Sequence, residues 1–385
     1  MSPSRRSTLH QLARRFAGVV VIATLFCGVS ACSTPSTESA PSGGSLTAAQ
    51  QECVDKADAY FETRAPLPES LPPELTPLSK KPREGLTITR VFAGAVPTDA
   101  EVSRKMNEAA PVLGWTGKSV AYDGSVEDAN RKLLDAIGNS DIVTLAGVPE
   151  SALQAPIAAA KDKGVLLMLD SKNPPVSIPG FGATVLGGDL WTQIGEPAAY
   201  AALKATNCQG SVAVFGVAAD AMRDLAAGID QTMKQECTEC GYSYTELPFS
   251  DIGSPAATTA VTSKLQADPS VALAFFTVGD LAKGIEPALK QAGLQTKIAG
   301  ALPSASNLVS LEQGKDEFWL GLPQDMTAWL VLDTAARALD SGQPTVGNVY
   351  PVPLYTSDNI ETTDEVPVYP KNYRAEFETL WKVTP

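Results

Sequence analysis

From Leu86 onward the sequence predicts an α/β fold built on parallel sheets, and three observations predict it. Short β-branched runs recur along the chain, segments of helical length separate most of them, and capping residues and glycines stand where those helices begin and end. Strands joined through helices pair side by side by way of right-handed crossovers, which gives parallel sheets.

The predicted strands are 86–92, 118–122, 141–146, 165–169, 182–186, 211–216, 243–248, 271–277 and 297–301. Thr98 with Glu101, and Ser125 with Asp128, have the spacing of capping boxes, in which each side chain satisfies free amides of a first helical turn. Gly114, Gly138, Gly164, Gly241 and Gly293 fall where helices must stop. Ahead of this series, 46–64 has helical apolar spacing through Ala48, Cys53, Ala57, Tyr60 and Phe61, and 65–82 is a proline-rich linker expected to lie extended on the surface.

The N-terminus reads as an export signal. Its first 15 residues carry four arginines and no acid, and the apolar run Phe16 to Phe26 is too short to span a bilayer. Val29-Ser30-Ala31-Cys32 then resembles the bacterial lipobox, in which the cysteine is acylated and becomes the first residue. A polar stretch to Ser45 follows as a disordered tether. Single acyl chains hold weakly and two or more hold firmly, so Cys32 is expected to anchor the chain to the outer face of a membrane. Arg5-Arg6 with Ser7-Thr8-Leu9 also resembles a twin-arginine signal, although Thr8 stands where a large apolar residue is usual, so the export route stays open.

Removing residues 1–31 moves the formal charge from −13 to −17, because all four arginines leave. So acidic a chain argues against nucleic acid as a partner. The single histidine, His10, leaves as well. Without imidazole, Ser-His-Asp and Cys-His catalysis are excluded, a catalytic metal site is not expected, and only lysine or carboxylate chemistry remains for an enzyme. No enzyme, cofactor or metal site is expected. Cys53, Cys208, Cys237 and Cys240 form an even set in an exported chain and are read as structural disulfides. Three pairings are possible. The pairing 237 with 240 and 53 with 208 is preferred, and the other two stay open.

Leu113-Gly114-Trp115, Tyr122-Asp123-Gly124 and Asp141-Ile142-Val143 give the first sign of a family. With Asp170 after the fourth strand, Gly187-Gly188-Asp189, Arg223, Gly228, Asp280, Ala292-Gly293 and Gln324, the chain over about 86–355 resembles the type I periplasmic substrate-binding proteins of ABC importers, nearest the ribose and sugar branch. The resemblance implies two Rossmann-like lobes with parallel sheets joined by three crossing segments. The first lobe is expected over 84–186 with about 326–341, and the second over 187–325 with about 342–385. Ligands bind beyond the carboxyl ends of parallel strands, so a shared cleft is expected between the loops 93–97, 146–149 and 170–174 and the loops 217–220, 277–280 and 301–306.

Each candidate in that cleft has a structural alternative. Asp170 would accept from a ligand hydroxyl, or form an Asx turn. Arg223 would offer its planar fork to the ligand, or pair with Asp220 or Asp224 on the surface. Trp191 would stack on a sugar face, or pack in the core. Asp280 would touch the ligand, or cap the helix 281–291. Gln324 matches the family's cleft glutamine, and Trp115 is read as packing. The departures are Ser171 for the family's arginine, Gly279 for an asparagine, and Ala301 with Leu302 for an aspartate. These losses argue against a plain pentose held in the usual way, since a ligand hydroxyl buried without a partner is penalised by roughly 1–3 kcal/mol. Thr277, Ser304 and Ser306 could restore hydrogen bonds to a different solute. The expected protein is therefore a monomeric, lipid-anchored extracytoplasmic receptor that binds a small solute and docks on a membrane permease. The alternative is a sensory receptor that presents its closed form to a sensor kinase.

Overall fold

The computed structural model describes residues 46–383 apart from 65, 147, 149, 171–180 and 188. The expected signal peptide, the candidate lipid-bearing Cys32, the expected tether and Ser171 lie outside the described residues. Two six-stranded sheets organise the rest. The first contains β1 (Thr87–Ala93), β2 (Thr116–Tyr122), β3 (Ile142–Leu145), β4 (Leu166–Asp170), β5 (Ala183–Val185) and β11 (Thr345–Gly347), in the order β11-β5-β4-β3-β1-β2, all parallel. The second contains β6 (Ser211–Val217), β7 (Gly241–Leu247), β8 (Val271–Phe276), β9 (Lys297–Ala301), β10 (Phe318–Leu320) and β12 (Leu354–Tyr355), in the order β12-β10-β9-β8-β6-β7, with β12 antiparallel.

Strand chemistry follows position. β6 is buried at every residue of Ser-Val-Ala-Val-Phe-Gly-Val, as a central strand covered on both faces must be. β2 and β7 lie at sheet edges, and their exposed and half-buried residues include Lys118, Tyr242 and Tyr244. Helices α2 (Pro97–Ala109), α3 (Val126–Asn139), α4 (Gln154–Lys163) and α10 (Gln324–Ser341) serve the first sheet. Helices α5 (Leu190–Thr206), α6 (Asp220–Glu236), α7 (Pro255–Ala267), α8 (Ile285–Ala292) and α9 (Ala305–Glu312) serve the second.

The boundaries match the predicted signals in part. Ser125 accepts from the Asp128 amide (3.1 Å), and Gly114 ends its helical turn at φ 70°. Thr98 does not cap: α2 starts one residue earlier at Pro97, whose ring presets the helical φ. Gly138 lies inside α3, and Gly241 opens β7.

The chain passes between the two sheets three times, as expected, although β11 places the third passage later than residue 342. It leaves the first after β5, returns at Gly321–Pro323 into α10, and adds β11 to the first sheet before β12 joins the second. Helix α11 (Tyr373–Leu380) then lies on α10, where Trp381 stacks on Trp329 (ring centroids 5.1 Å apart) and donates from Nε1 to Asp333 (2.8 Å). Residues 342–385 are thus divided between the two sheets. The proline-rich linker is also docked, with Leu71 and Leu78 buried. Leu71 N donates to Glu376 (2.7 Å), Leu78 N to the Leu380 carbonyl (2.9 Å), and Ser79 N to Asp340 (2.7 Å). Helix α1 (Ala48–Arg64) packs on α5, tied by the Cys53–Cys208 disulfide and by stacking of Tyr60 on Tyr200. Cys237–Cys240 is the second disulfide. No helix among the described residues is long and apolar enough to cross a membrane.

Candidate ligand-binding cleft

The carboxyl ends of the strands carry the polar groups that the core does not explain. On β1, strand alternation puts Ile88, Arg90 and Phe92 on one face. Arg90 pairs in register with Thr144 of β3, and Asp170 ends β4 one pleat further on. The Arg90 guanidinium bridges two carboxylates, Asp99 at the start of α2 and Asp170, and is almost fully buried. Asp170 also accepts from Thr144 Oγ1 (2.5 Å), and Asp99 accepts from the Ala93 amide (3.1 Å). Asp170 therefore points inward, and its carboxylate fixes Arg90 instead of standing free for a ligand. Arg90 is the residue that sequence reasoning missed. Its signal was legible, since a charged side chain on the inward face of a predicted strand needs buried partners.

At the edge of the second sheet, Asn307 pins two loops together. Its Oδ1 accepts from Ser304 N (2.9 Å) and Oγ (2.8 Å), and its Nδ2 donates to the Gly279 carbonyl (3.2 Å). Any Cβ at position 279 would lie 2.3 Å from Asn307 Oδ1, so glycine is required where these loops cross. Asp280 lies in the 3-10 turn Gly279–Ala282, and burial raises its carboxyl pKa against the opposing pull of Lys283. Its Oδ2 is buried with no hydrogen-bond partner among the described residues. Thr277 is wholly buried, and its Oγ1 likewise has no such partner.

A model of the periplasmic binding protein domain matches residues 99–344, which include β2 to β10 and the first two crossings. The chain belongs to the type I periplasmic binding protein family. Solved structures agree on the fold. A periplasmic ribose ABC transporter protein of Conexibacter woesei DSM 14684 superposes with TM-score 0.62 at 15% identity, over 74% of this chain and 95% of that one. A solute-binding protein of Burkholderia graminis C4D1M in complex with D-arabinose gives 0.62 at 17%, over 72% and 97%. One from Actinobacillus succinogenes 130z with bound D-allose gives 0.60 at 16%, over 71% and 98%. No curated protein sequence gives a significant match. As a periplasmic binding protein the chain is an extracytoplasmic solute-binding protein and not an enzyme.

Within this periplasmic binding protein the other candidates separate. Trp191 is buried at the head of α5, and its Nε1 donates to the Leu186 carbonyl (2.9 Å), so it packs the first crossing and offers no face for stacking. Arg223 is half exposed and pairs with Asp220 and Glu246 (both 2.7 Å), so its fork is occupied on the surface. Ser304 is the N-cap of α9 and is engaged with Asn307 and with Ser306 Oγ (2.9 Å). Asp280 does not cap a helix, because α8 begins at Ile285 behind Gly284. Gln324 is half buried as the first residue of α10, directly after the return crossing. Beside it Asp325 pairs with Lys105 of α2 (2.6 Å). The crossings are themselves bonded: Tyr350 OH donates to the Pro323 carbonyl (3.0 Å), and Gly321 N to the Pro353 carbonyl (2.7 Å).

Proposed function

We propose that the protein is the solute receptor of an ABC importer, lipid-anchored through Cys32, which binds a hydroxylated solute of the sugar class between its lobes. The observation that carries the reading is the pair of mostly parallel sheets in one chain of this family, with polar groups of Thr277 and Asp280 that meet no hydrogen-bond partner among the described residues at the edge where such folds take their ligands. The neighbours whose structures hold D-arabinose and D-allose support the sugar class. In this reading Asp170 acts through Arg90, Gln324 contacts the solute at the return crossing, and binding favours a closed form that docks on the permease.

The test is calorimetric titration of the protein with pentoses, hexoses, polyols and nucleosides. Saturable binding of at least one sugar or polyol is expected, and binding of none would reject the sugar class. Replacing Cys32 by serine is expected to release the protein from the membrane fraction with that binding intact. Retention of the Cys32→Ser protein in the membrane fraction would reject the anchor.

A further inference from the structure

Two hydroxyl groups converge beside Gly216, near the carboxyl end of β6. Thr277 directly follows β8 and is 0% exposed, and its backbone amide donates to the Phe215 carbonyl (3.0 Å). Its Oγ1, however, meets no hydrogen-bond partner among the described residues. The buried hydroxyl of Tyr244 on β7 is in the same condition. Tyr242, two residues earlier on the same face, donates from its hydroxyl to the Ala226 carbonyl (2.7 Å), so the strand does provide partners where a phenol has only a structural role. Both partnerless oxygens flank one point: a Cβ on Gly216 would lie 2.9 Å from Tyr244 OH and 3.1 Å from Thr277 Oγ1. Tyr244 Cε2 lies 2.9 Å from the same point, so the ring itself packs on the glycine, but that packing leaves both hydroxyls unbonded, and a buried hydroxyl without a partner destabilises the fold.

The chemistry of the spot selects its ligand. Burial holds the Tyr244 phenol up at about 12, so it is a neutral O–H at physiological pH. The nearby guanidinium of Arg223 is already shared by Asp220 and Glu246. It is therefore not available to balance an anion, and two hydroxyls cannot balance an ammonium.

We propose that Tyr244 and Thr277 are the specificity-determining pair of the second lobe, together holding one neutral hydroxyl of the solute beside Gly216. A hydroxyl suits two such groups because it can donate to one and accept from the other. The inference rests on the solute-receptor reading and narrows it to neutral polyhydroxylated compounds.

Tyr244→Phe, Thr277→Val and Thr277→Ser are compared with the parent by calorimetry against D-ribose, D-arabinose, D-allose and glycerol, and by thermal unfolding without ligand. For the best-binding probe, the Tyr244→Phe and Thr277→Val proteins are each expected to bind roughly tenfold more weakly, while Thr277→Ser keeps its affinity. The unliganded Tm of Thr277→Val is expected to stay level or rise, since an unpaired hydroxyl is removed. Unchanged affinity in both Tyr244→Phe and Thr277→Val overturns the proposal. So does a clear fall in the unliganded Tm of Thr277→Val, which would give the hydroxyl a structural role. If the parent binds none of the probes, the sugar reading fails separately, and the unliganded Tm alone then decides for or against the pair.

Discussion

Arg90 holds two carboxylates of the first lobe together. Its guanidinium is buried between Asp99 and Asp170, and a buried pair that loses one partner leaves uncompensated charge behind. Arg90→Met is expected to destabilise the lobe by about 3–5 kcal/mol in urea unfolding. Adding Asp99→Asn and Asp170→Asn to that variant should recover most of the loss. A single substitution worth less than about 1 kcal/mol, the range of exposed pairs, would mean the cluster is solvated. Asp316 supplies a pH prediction. Burial pushes its carboxyl from 3.8 up to about 7, partly opposed by the Trp319 indole N–H that donates to Oδ2 (2.9 Å). The folded state thus keeps a proton that the unfolded chain has already released. Its stability is full below about pH 4 and falls as pH rises towards 7, by up to about 4 kcal/mol. Asp316→Asn should match the parent near pH 4 and exceed it at pH 8. Parallel pH profiles for the two proteins would contradict this. At this scale the sequence was a poor guide. Asp170, Arg223 and Ser304 are residue types that bind ligands and also pair or cap, and only three-dimensional neighbours decide between these uses.

At the scale of elements the sequence was far more legible, because period and punctuation are local. The nine predicted strands all appear, with ends that differ by at most two residues, and the helix expected at 46–64 is α1. The three strands that escaped, β10, β11 and β12, are three, three and two residues long, too short to show an alternation. The linker escaped for a different reason: Leu67, Leu71, Leu75 and Leu78 recur at helix-like spacing, but the prolines among them forbid a helix, so the sequence did not show that Leu71 and Leu78 would be buried. The covalent tie of α1 gives this scale its prediction. Cys53–Cys208 spans 155 residues and Cys237–Cys240 spans three, so the first restricts the unfolded chain far more. Replacing Cys53 and Cys208 by alanine should lower Tm clearly more than the same change at Cys237 and Cys240. The reverse order would contradict this account of the tie.

At the scale of the whole molecule, the two parallel sheets and their three crossings were legible in the sequence, whereas the strand order, the return of α11 to α10 and the docking of the linker were not. Helix α1 on α5, followed by the linker on α10 and α11, adds a further link across the divide beyond the three crossings. The proposed closure would therefore take place with these segments in position, as a hinge motion about bonded crossings such as Tyr350 to Pro323. Distance between the cleft rims reads this directly. Val126 at the head of α3 and Phe249 after β7 are exposed, and both follow the carboxyl ends of edge strands, one in each lobe. Spin labels on Val126→Cys and Phe249→Cys, measured by double electron–electron resonance with and without the tightest-binding sugar, test the central claim. The account predicts a shift to shorter distance on saturation, and an unchanged distance with the sugar bound would contradict it.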